Sequence, residues 1–280
     1  MKPLQLFWRN WQNRVAVYFL AVVMVISAGS KFIAAIDPNY FDPAHIYPVA
    51  PNAHHWLGTD DMGRDILFRL IAGAQVSFSI AIMAVGISIG VGVILGLIAG
   101  YWGGWIDACL MRIVDFLMAI PTIFLILVIQ SILNPNIVTV MVVIGLTSWM
   151  DVCRMVRAEV MSIKERPFVL AAQARGIRGL RLILVHIFPH TLSPVIVAAT
   201  LGLGGAILTE SVISFLGLGV QPPYASWGNM LENSLAYMND APWMILSPGI
   251  MITMTVLVLN VIGDGLRASL NPKENYVKSS

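Results

Sequence analysis

One strongly basic stretch interrupts an otherwise very apolar chain, RMVRAEVMSIKERPFVLAAQARGIRGLRLILVHIFP at residues 154–189. Seven lysines and arginines stand in it against only Glu159 and Glu165. Its centre, Ala171-Ala172-Gln173-Ala174-Arg175-Gly176, sets small residues at helical spacing before a glycine, and Pro189 follows. A glycine after a helical pattern is a common helix end. The pattern therefore predicts a short helix outside the membrane, with a surface that another protein can approach closely.

The rest of the chain has the composition of a membrane protein. Of 280 residues, 58% are hydrophobic and only 11% are charged, and the mean hydropathy is +0.79. A soluble domain carries roughly a quarter charged residues, so this chain has too few charges to cover a surface that faces water. We expect the two cysteines to be small packing residues rather than a disulfide, because both fall near inner ends of predicted spans.

Six segments are long and apolar enough to span a bilayer, which requires about 20 mainly apolar residues. No gap between them is long enough for a soluble domain. Helices satisfy their own backbone hydrogen bonds in lipid, so we predict a single all-α, polytopic membrane domain over residues 1–280 with six transmembrane helices. The predicted spans are 15–36, 76–101, 109–133, 137–156, 192–216 and 243–266.

Lysine and arginine residues predict the orientation. With six spans, both termini lie on the same side of the membrane as the 154–189 loop. Only Lys31, Arg64 and Arg69 of the 17 basic residues fall on the other side. Cytoplasmic loops carry the excess of basic residues. We therefore predict a multi-pass protein of the cell (inner or plasma) membrane with cytoplasmic termini and a cytoplasmic 154–189 loop.

Some residues inside the spans invite specific interpretations. Pro121 predicts a kink in the third span, and Arg112 and Asp115 have the spacing of a local ion pair on one helix. Glu210 is an acid in the fifth span, which either serves a transport pathway or bonds to a hydroxyl of a neighbouring helix. The second span repeats small residues in a way that lets helix backbones approach closely in lipid. These residues are Gly86, Gly90, Gly92, Gly96 and Gly100.

Two polar motifs follow the first and fifth spans, on the side opposite the basic loop. HWLGTDDMGRD at residues 55–65 has two glycines at turn positions and alternates acids with one arginine, which predicts an ordered loop. ESVISFLGLGVQPP at 210–223 breaks the fifth helix with Gly-x-Gly and two prolines, and SWGNML follows at 226–231. GDGLR at 263–267 ends the last span.

Taken together, these segments resemble the second permease subunit of ATP-binding cassette (ABC) importers for dipeptides, oligopeptides and nickel. That family has Leu-Gly-Thr-Asp-x-x-Gly-Arg-Asp before its second helix, Ser-Phe-Leu-Gly-Leu-Gly with a later Trp-Gly after its fifth, and Gly-Asp-x-Leu-Arg near its C-terminus. The basic loop is similar to the family's coupling loop (Glu-Ala-Ala, three residues, Gly, then Ile-x-Leu-Pro). Leu170 replaces that Glu, and His186-Ile187-Phe188-Pro189 replaces Ile-x-Leu-Pro. The resemblance covers about residues 55–273.

The resemblance implies a type I ABC importer permease fold and a set of partners. These are a second homologous permease, two ATP-binding subunits, an extracytoplasmic substrate-binding protein and the lipid bilayer. Residues expected to contact the ATPases are Ala171, Ala172, Gly176 and Pro189. Residues expected in the docking surface for the binding protein are Gly58, Thr59, Asp60, Gly63, Arg64, Asp65, Trp227 and Gly228. Glu210 is the candidate at the outer mouth of the pathway.

Several missing patterns restrict the function. The sequence lacks the Gly-x4-Gly-Lys-Ser/Thr phosphate loop and any Gly-x-Ser-x-Gly or His-Glu-x-x-His motif. We therefore expect no catalytic residue and no cofactor in this chain, with ATP and Mg bound by the partner ATPases. His45, His54 and His55 lack the spacing of a known metal site, and the basic residues lack interleaved aromatics, which speaks against nucleic-acid binding.

The sequence thus predicts the membrane-spanning subunit of an ATP-driven importer that translocates short peptides delivered by an extracytoplasmic binding protein. Nickel or a metal chelate is the alternative substrate, because the same family transports it. A carrier or channel without ATPases would predict inverted repeats or broken helices with charges at the membrane midplane, and we find neither pattern in the sequence.

Overall fold

The computed structural model of the chain describes residues 3–29 and 47–270. Within these residues the regular structure is helical, apart from one isolated bridge between Thr59 and Asp65, so the predicted all-α class is confirmed. The helices are α1 (Pro3–Arg9), α2 (Trp11–Ala28), α3 (Ile66–Trp102), α4 (Gly104–Met118), α5 (Thr122–Ile132), α6 (Ile137–Thr147), α7 (Trp149–Lys164), α8 (Pro167–Ala174), α9 (Gly179–Leu182), α10 (Phe188–Phe215), α11 (Asn229–Glu232) and α12 (Trp243–Leu270). A π-helical turn at Ile183–Ile187 joins α9 to α10.

Five helical stretches are long and apolar enough to cross a membrane, namely α2, α3, α6–α7, α9–α10 and α12. The pair α4–α5 qualifies as a sixth only when its two helices are taken together, because they are bent by 80° at their junction. The junction contains Pro121, which has no N–H group to donate and cannot continue the preceding helix. The kink predicted in the third span is therefore a sharp break.

The packing of α3 on α7 shows how the chain crosses the membrane. Gly92, Gly96 and Gly100 of α3 lie against Val152, Val156 and Val160 of α7, a constant offset of 60 residues. Because both residue numbers rise together, the two helices run in parallel. The second of these helices belongs to the continuous stretch α6–α7. Two parallel spans must be joined by a segment that returns across the membrane, and between α3 and α6–α7 lies only the bent pair α4–α5. Within residues 3–29 and 47–270 this packing favours six crossings over five, with the third one broken.

These contacts also divide the glycines of the second span into those that touch α7 and those that do not. An added Cβ atom at Gly92, Gly96 or Gly100 would come within 2.6–2.7 Å of an atom of α7. At Gly86 and Gly90 it would meet no atom within 4 Å. The predicted close approach of two backbones is confirmed for the inner half of α3 only.

The second span begins earlier than the predicted 76–101. α3 starts at Ile66, because the side chain of Asp65 caps it and accepts hydrogen bonds from the backbone N–H groups of Leu67 (2.8 Å) and Phe68 (3.2 Å). A capped end allows the helix to extend beyond the apolar core of the membrane.

Other predicted bounds change for a related reason, since helices continue into polar sequence where packing supports them. The fourth span, predicted as 137–156, reaches Lys164, and the fifth, predicted as 192–216, begins at Gly179. The third, predicted as 109–133, covers 104–132 with its break, and the sixth, predicted as 243–266, covers Trp243–Leu270. The first is a helix over Trp11–Ala28, and residues 30–36 of its predicted range lie outside the described residues.

Two ion pairs hold α4 against α7. Arg157 donates to both carboxylate oxygens of Asp107, one of them at 2.6 Å, and Arg154 pairs with Asp115. The predicted pair between Arg112 and Asp115 is wrong, because the carboxylate of Asp115 turns toward the neighbouring helix instead. Helix α4 is thus attached to α7, the helix that leads into the basic loop.

Candidate functional site

The predicted short helix of the basic loop is α8, at Pro167–Ala174. Pro167 is in the first turn, where its missing N–H group costs nothing. Gly176 ends the helix with φ = +84°, while the N–H groups of Gly176 and Ile177 donate to the carbonyl oxygens of Gln173 (2.9 Å) and Ala172 (3.1 Å). This is a Schellman end, in which a left-handed residue is required. The glycine of the motif therefore shapes the helix end.

One face of α8 is turned toward the permease itself. Val169 and Ala172 are buried, with 0% and 5% of their surface exposed, and they pack in a cluster with Ile163, Leu182 and Ile187. The methyl group of Ala172 therefore faces the membrane domain, and its small size serves the seating of α8 there. Its predicted contact with an ATPase stays a prediction.

The other face of α8 is free in this chain. Ala171, Gly176 and Pro189, three of the four residues predicted to contact an ATPase, are exposed. Phe168 and Leu170 are exposed as well, at 39% and 51%. Apolar side chains on the surface of a polar loop are typical of a binding surface. We call the exposed residues of α8 the coupling surface.

Both ends of α8 are attached to the inner end of α3. The Nζ atom of Lys164, just before α8, donates to the carbonyl oxygens of Gly100 (3.3 Å) and Tyr101 (2.6 Å) and lies 5.6 Å from the centre of the Tyr101 ring. After α8, the N–H group of Gly179 donates to the hydroxyl oxygen of Tyr101 at 2.8 Å. A lysine suits this place because the last carbonyls of a helix carry partial negative charge. No sequence signal marked Lys164 or Tyr101 for this role.

The motif at 55–65 is folded on itself. A carboxylate oxygen of Asp60 accepts hydrogen bonds from the N–H groups of Met62 and Arg64, both at 2.9 Å, and the other accepts from Nε of Arg64 at 2.7 Å. The hydroxyl of Thr59 accepts from the N–H group of Val49 at 2.8 Å, and Nδ1 of His55 lies 2.8 Å from the Asp65 carboxylate. We call this segment the outer knot.

The outer knot is attached to the start of α12. Gly58 has φ = +76°, and a Cβ atom there would lie 2.7 Å from Nε1 of Trp243, which itself donates to the Thr59 carbonyl oxygen at 3.2 Å. Thr59, Asp60 and Asp65 are only 1%, 7% and 8% exposed.

The six residues of the outer knot that were predicted as a docking surface are buried or half-buried, namely Gly58, Thr59, Asp60, Gly63, Arg64 and Asp65. Their polar groups bond to one another and join α3 to α12, and their docking role stays a prediction. In the described part of the chain, no group of three or more His, Cys, Asp or Glu residues is arranged to hold a metal ion.

Trp227 and Gly228 are also internal. The Trp227 side chain is fully buried, its Nε1 donates to the carbonyl oxygen of Leu70 at 3.0 Å, and its backbone N–H donates to the hydroxyl of Ser77 at 3.2 Å. A Cβ atom on Gly228 would lie 2.6 Å from Cα of Ser211. Both residues fasten the loop after α10 onto α3 and α10, and their docking role likewise stays a prediction.

Glu210 lies at the centre of this attachment and is 0% exposed. Its carboxylate accepts hydrogen bonds from the hydroxyl groups of Ser214 (2.7 Å) and Ser77 (3.2 Å). Because Ser77 also accepts from Trp227, one chain of hydrogen bonds links α3, α10 and the following loop. These hydroxyl partners agree with the second of its two interpretations, a partner for a hydroxyl of a neighbouring helix. Its place at the outer mouth of the pathway stays a prediction.

A cleft opens along one side of α7 and α10. Its inner part is a cavity of about 1210 Å³ at the start of α8 and the end of α12, and its outer part is a cavity of about 420 Å³ between α3, α6–α7 and α10. The two parts share the lining residues Met155 and Ala198, so they are adjacent along the same side of α7 and α10. Asp151 lines the outer part. The sequence contained a signal for it, since Asp151 is an acid inside a predicted span.

Comparison with known proteins gives a consistent result. Residues 92–276 match the protein family described as "Binding-protein-dependent transport system inner membrane component". The chain is 45% identical over 223 residues to the dipeptide transport system permease protein DppC of Alkalihalophilus pseudofirmus, covering 80% of this chain and 73% of that protein. It is 38% identical to DppC of Haemophilus influenzae, covering 97% and 95%, and 37% identical to the glutathione transport system permease protein GsiD of Escherichia coli, covering 97% and 91%.

Solved structures support the fold. A structure of inward-facing conformations of the MetNI methionine ABC transporter has a TM-score of 0.55 at 16% identity, covering 73% of this chain and 97% of that chain. An amino acid ABC transporter gives a TM-score of 0.52 at 17% identity, covering 74% and 94%. At these identities the likeness extends to the arrangement of helices alone.

Proposed function

Because the chain belongs to the family of binding-protein-dependent transport system inner membrane components, we propose that it is the permease subunit of an ATP-driven importer of short peptides. The observation that carries this proposal is 38% identity to a dipeptide permease over 97% of the chain. A glutathione permease is similar over the same share, and glutathione is itself a short peptide. In this proposal two partner subunits bind and hydrolyse ATP, and this chain performs no covalent chemistry.

The coupling surface receives the motion of the ATPases. Exposed Phe168, Leu170 and Ala171 offer an apolar contact on a helix that is firmly seated through Val169 and Ala172. Closure of the ATPases displaces α8, and the bonds of Lys164 and Tyr101 pass that displacement to α3 and α7. The cleft then exchanges access between the two sides of the membrane, which is a population shift between two arrangements of packed helices.

The coupling surface and both termini are cytoplasmic in this proposal, and the outer knot is extracytoplasmic. The distribution of basic residues supports this orientation. An arrangement of six crossings, with α8 and the outer knot on opposite sides of the membrane, supports this orientation.

A second, homologous permease completes the pathway. This chain has one coupling surface, whereas two ATPases that act as a pair need two. Its cleft runs along α7 and α10. We propose a heterodimer with a pseudo-two-fold axis beside this cleft, because two related clefts then face each other across the pathway.

The binding protein docks on exposed aromatic residues that surround the outer knot rather than on its buried polar groups. Tyr47, Trp56 and Tyr224 are 78%, 72% and 57% exposed, and aromatic side chains are enriched in protein interfaces. Trp56 is part of the outer knot, and Tyr47 precedes Val49, which exchanges hydrogen bonds with Thr59. Tyr224 lies in the loop that Trp227 fastens.

Uptake by the reconstituted transporter tests this function. The chain is purified with its partner permease, ATPases and binding protein and placed in proteoliposomes, with ATP inside and labelled dialanine on the binding protein outside. We expect uptake that depends on ATP and on the binding protein. An ATPase variant that binds but does not hydrolyse ATP is the control and should abolish uptake.

Three results would contradict the proposal in different ways. Uptake of Ni²⁺ without peptide uptake would favour the alternative substrate. Peptide uptake that persists in the ATPase variant would indicate a carrier or channel. Transport with this chain as the sole membrane subunit would exclude the heterodimer.

A further inference from the structure

Asp151 occupies an unusual position in the cleft. It lies in the first turn of α7, directly after the break between α6 and α7 at Ser148, and its side chain is exposed to the outer cavity. Within residues 3–29 and 47–270, no side chain forms a hydrogen bond or an ion pair with its carboxylate. The nearby arginines of α7 are engaged elsewhere, since Arg154 pairs with Asp115 and Arg157 with Asp107.

The break in the helix supports a negative charge at this place. The first turn of a helix carries partial positive charge from its free N–H groups, and this stabilises an acid there without a cationic partner. An ionisable group at membrane depth is costly unless it faces water or a partner. Asp151 faces the outer cavity, so its charge is directed into the cleft.

The outer cavity otherwise offers hydrogen-bond acceptors. Among its described lining residues, Asp151 is the one ionisable side chain, and three others carry a hydroxyl group. Each hydroxyl proton is already donated to a backbone carbonyl: Ser88 to Ser148 (2.8 Å), Ser148 to Ile144 (2.7 Å) and Thr209 to Gly205 (2.9 Å). The remaining lining residues are aliphatic side chains, Met155 and two glycines.

The chemistry of this lining selects a ligand class. A cavity that presents a carboxylate and hydroxyl lone pairs, while its own donors are used, complements a cation that is rich in N–H groups. A primary ammonium group has three such donors and one positive charge. The cavity of about 420 Å³ is within the usual size of small-molecule sites.

We propose that the Asp151 carboxylate binds the amino-terminal ammonium group of a peptide during its passage through the cleft. This inference rests on the proposed function, since it assigns a subsite to the peptide pathway. Glu159 continues the same face of α7 two turns further in and lines the inner cavity. A cation leaving Asp151 toward that end therefore meets a second carboxylate, which Arg166 approaches only to 3.8 Å.

The test compares charge-removing and charge-preserving variants in the complete transporter. Asp151→Asn keeps the shape and removes the charge, and Asp151→Glu keeps the charge. Asp240→Asn removes an exposed acid from a distant loop and serves as the matched control. Dialanine is the substrate, because its amino terminus is its one cationic group. Uptake into proteoliposomes and ATP hydrolysis stimulated by the loaded binding protein are both measured.

We expect Asp151→Asn to lower dialanine uptake about tenfold or more, as expected for the loss of a hydrogen bond to a charged group. Stimulated ATP hydrolysis should stay within about twofold of the wild-type rate, and Asp151→Glu should restore most of the uptake. Wild-type uptake by Asp151→Asn would overturn the subsite. So would equal loss of uptake and hydrolysis in both variants, which would indicate a structural role.

Failure of the proposed function has a different signature. A wild-type complex that hydrolyses ATP but takes up no peptide would defeat the peptide importer itself. If the wild-type complex takes up dialanine and Asp151→Asn does so equally well, the importer stands and only the subsite is lost.

Discussion

Replacing Gly96 with alanine tests the packing of α3 on α7. A Cβ atom at this position would lie 2.7 Å from the carbonyl oxygen of Cys153 and 2.8 Å from Cβ of Val156. Both atoms are fixed to the backbone of α7, so neither can rotate away, and the two helices have to separate locally. Gly90 is on the same helix, and a Cβ atom there would meet nothing within 4 Å. Gly90→Ala is therefore the matched control for the loss of a glycine.

The two substitutions are expected to change the free energy of unfolding in opposite directions. An extra methyl group in a well-packed contact costs typically about 1–3 kcal/mol. Alanine gains at most about 1 kcal/mol over glycine in helix propensity. After a gain of about 1 kcal/mol is subtracted, the net result for Gly96→Ala is a loss of roughly 0–2 kcal/mol, whereas Gly90→Ala should range from no change to a gain of about 1 kcal/mol.

Unfolding in mixed micelles with increasing sodium dodecyl sulfate, followed by tryptophan fluorescence, measures this difference. Gly96→Ala should unfold at a lower detergent fraction than the wild-type protein, and Gly90→Ala at an equal or higher one. If the two variants unfold together, or in the reverse order, α3 and α7 are not in close contact at Gly96. The parallel arrangement of the two helices, and the sixth crossing derived from it, would then lose their basis.

Three further outcomes are expected from the described contacts. Tyr101→Phe removes the hydroxyl that accepts a hydrogen bond after α8, and it should lower transport per ATP hydrolysed while the complex still assembles; unchanged coupling would exclude this attachment. Ala171→Trp should weaken the pull-down of the ATPases with the fold intact, whereas Ala172→Trp should lower thermal stability, because only the second side chain is buried; equal effects on both measurements would contradict the assigned faces of α8. A cysteine replacing Trp56 should react with an impermeant thiol reagent in intact cells and one replacing Arg178 should not, and the reverse pattern would invert the orientation.

The helices and their order were predictable from the sequence because long apolar stretches are a strong signal. Ala174 and the glycine at 176 likewise revealed the end of α8, since only a residue that tolerates positive φ fits a Schellman end. The sharp break at Pro121 was visible as a kink but not in its extent. A proline removes one hydrogen bond, and the neighbouring helices then set the angle.

The sequence could not predict whether a polar loop residue faces the solvent or the interior of the chain. Asp60, Asp65 and Trp227 lie in loops and carry groups that can form hydrogen bonds. Such residues are typical both of binding surfaces and of internally bonded turns. The difference depends on partners such as Met62 and Ser77, which only the folded chain brings near. Asp151 shows the reverse case, since its position in a predicted span was visible, but the cavity it faces is formed by helices far apart in the sequence.

The length of α3 has a mechanical consequence. Its 37 residues extend about 55 Å at 1.5 Å per residue, well beyond the roughly 30 Å hydrocarbon core. The outer knot holds one end, and the bonds of Lys164 and Tyr101 hold the other. A tilt of about 10° around its middle would move each end by about 5 Å in opposite directions. A rigid tilt of this helix would therefore move the outer knot and the end that is bonded to Lys164 in opposite directions, so that a displacement of α8 would reach the far end of α3.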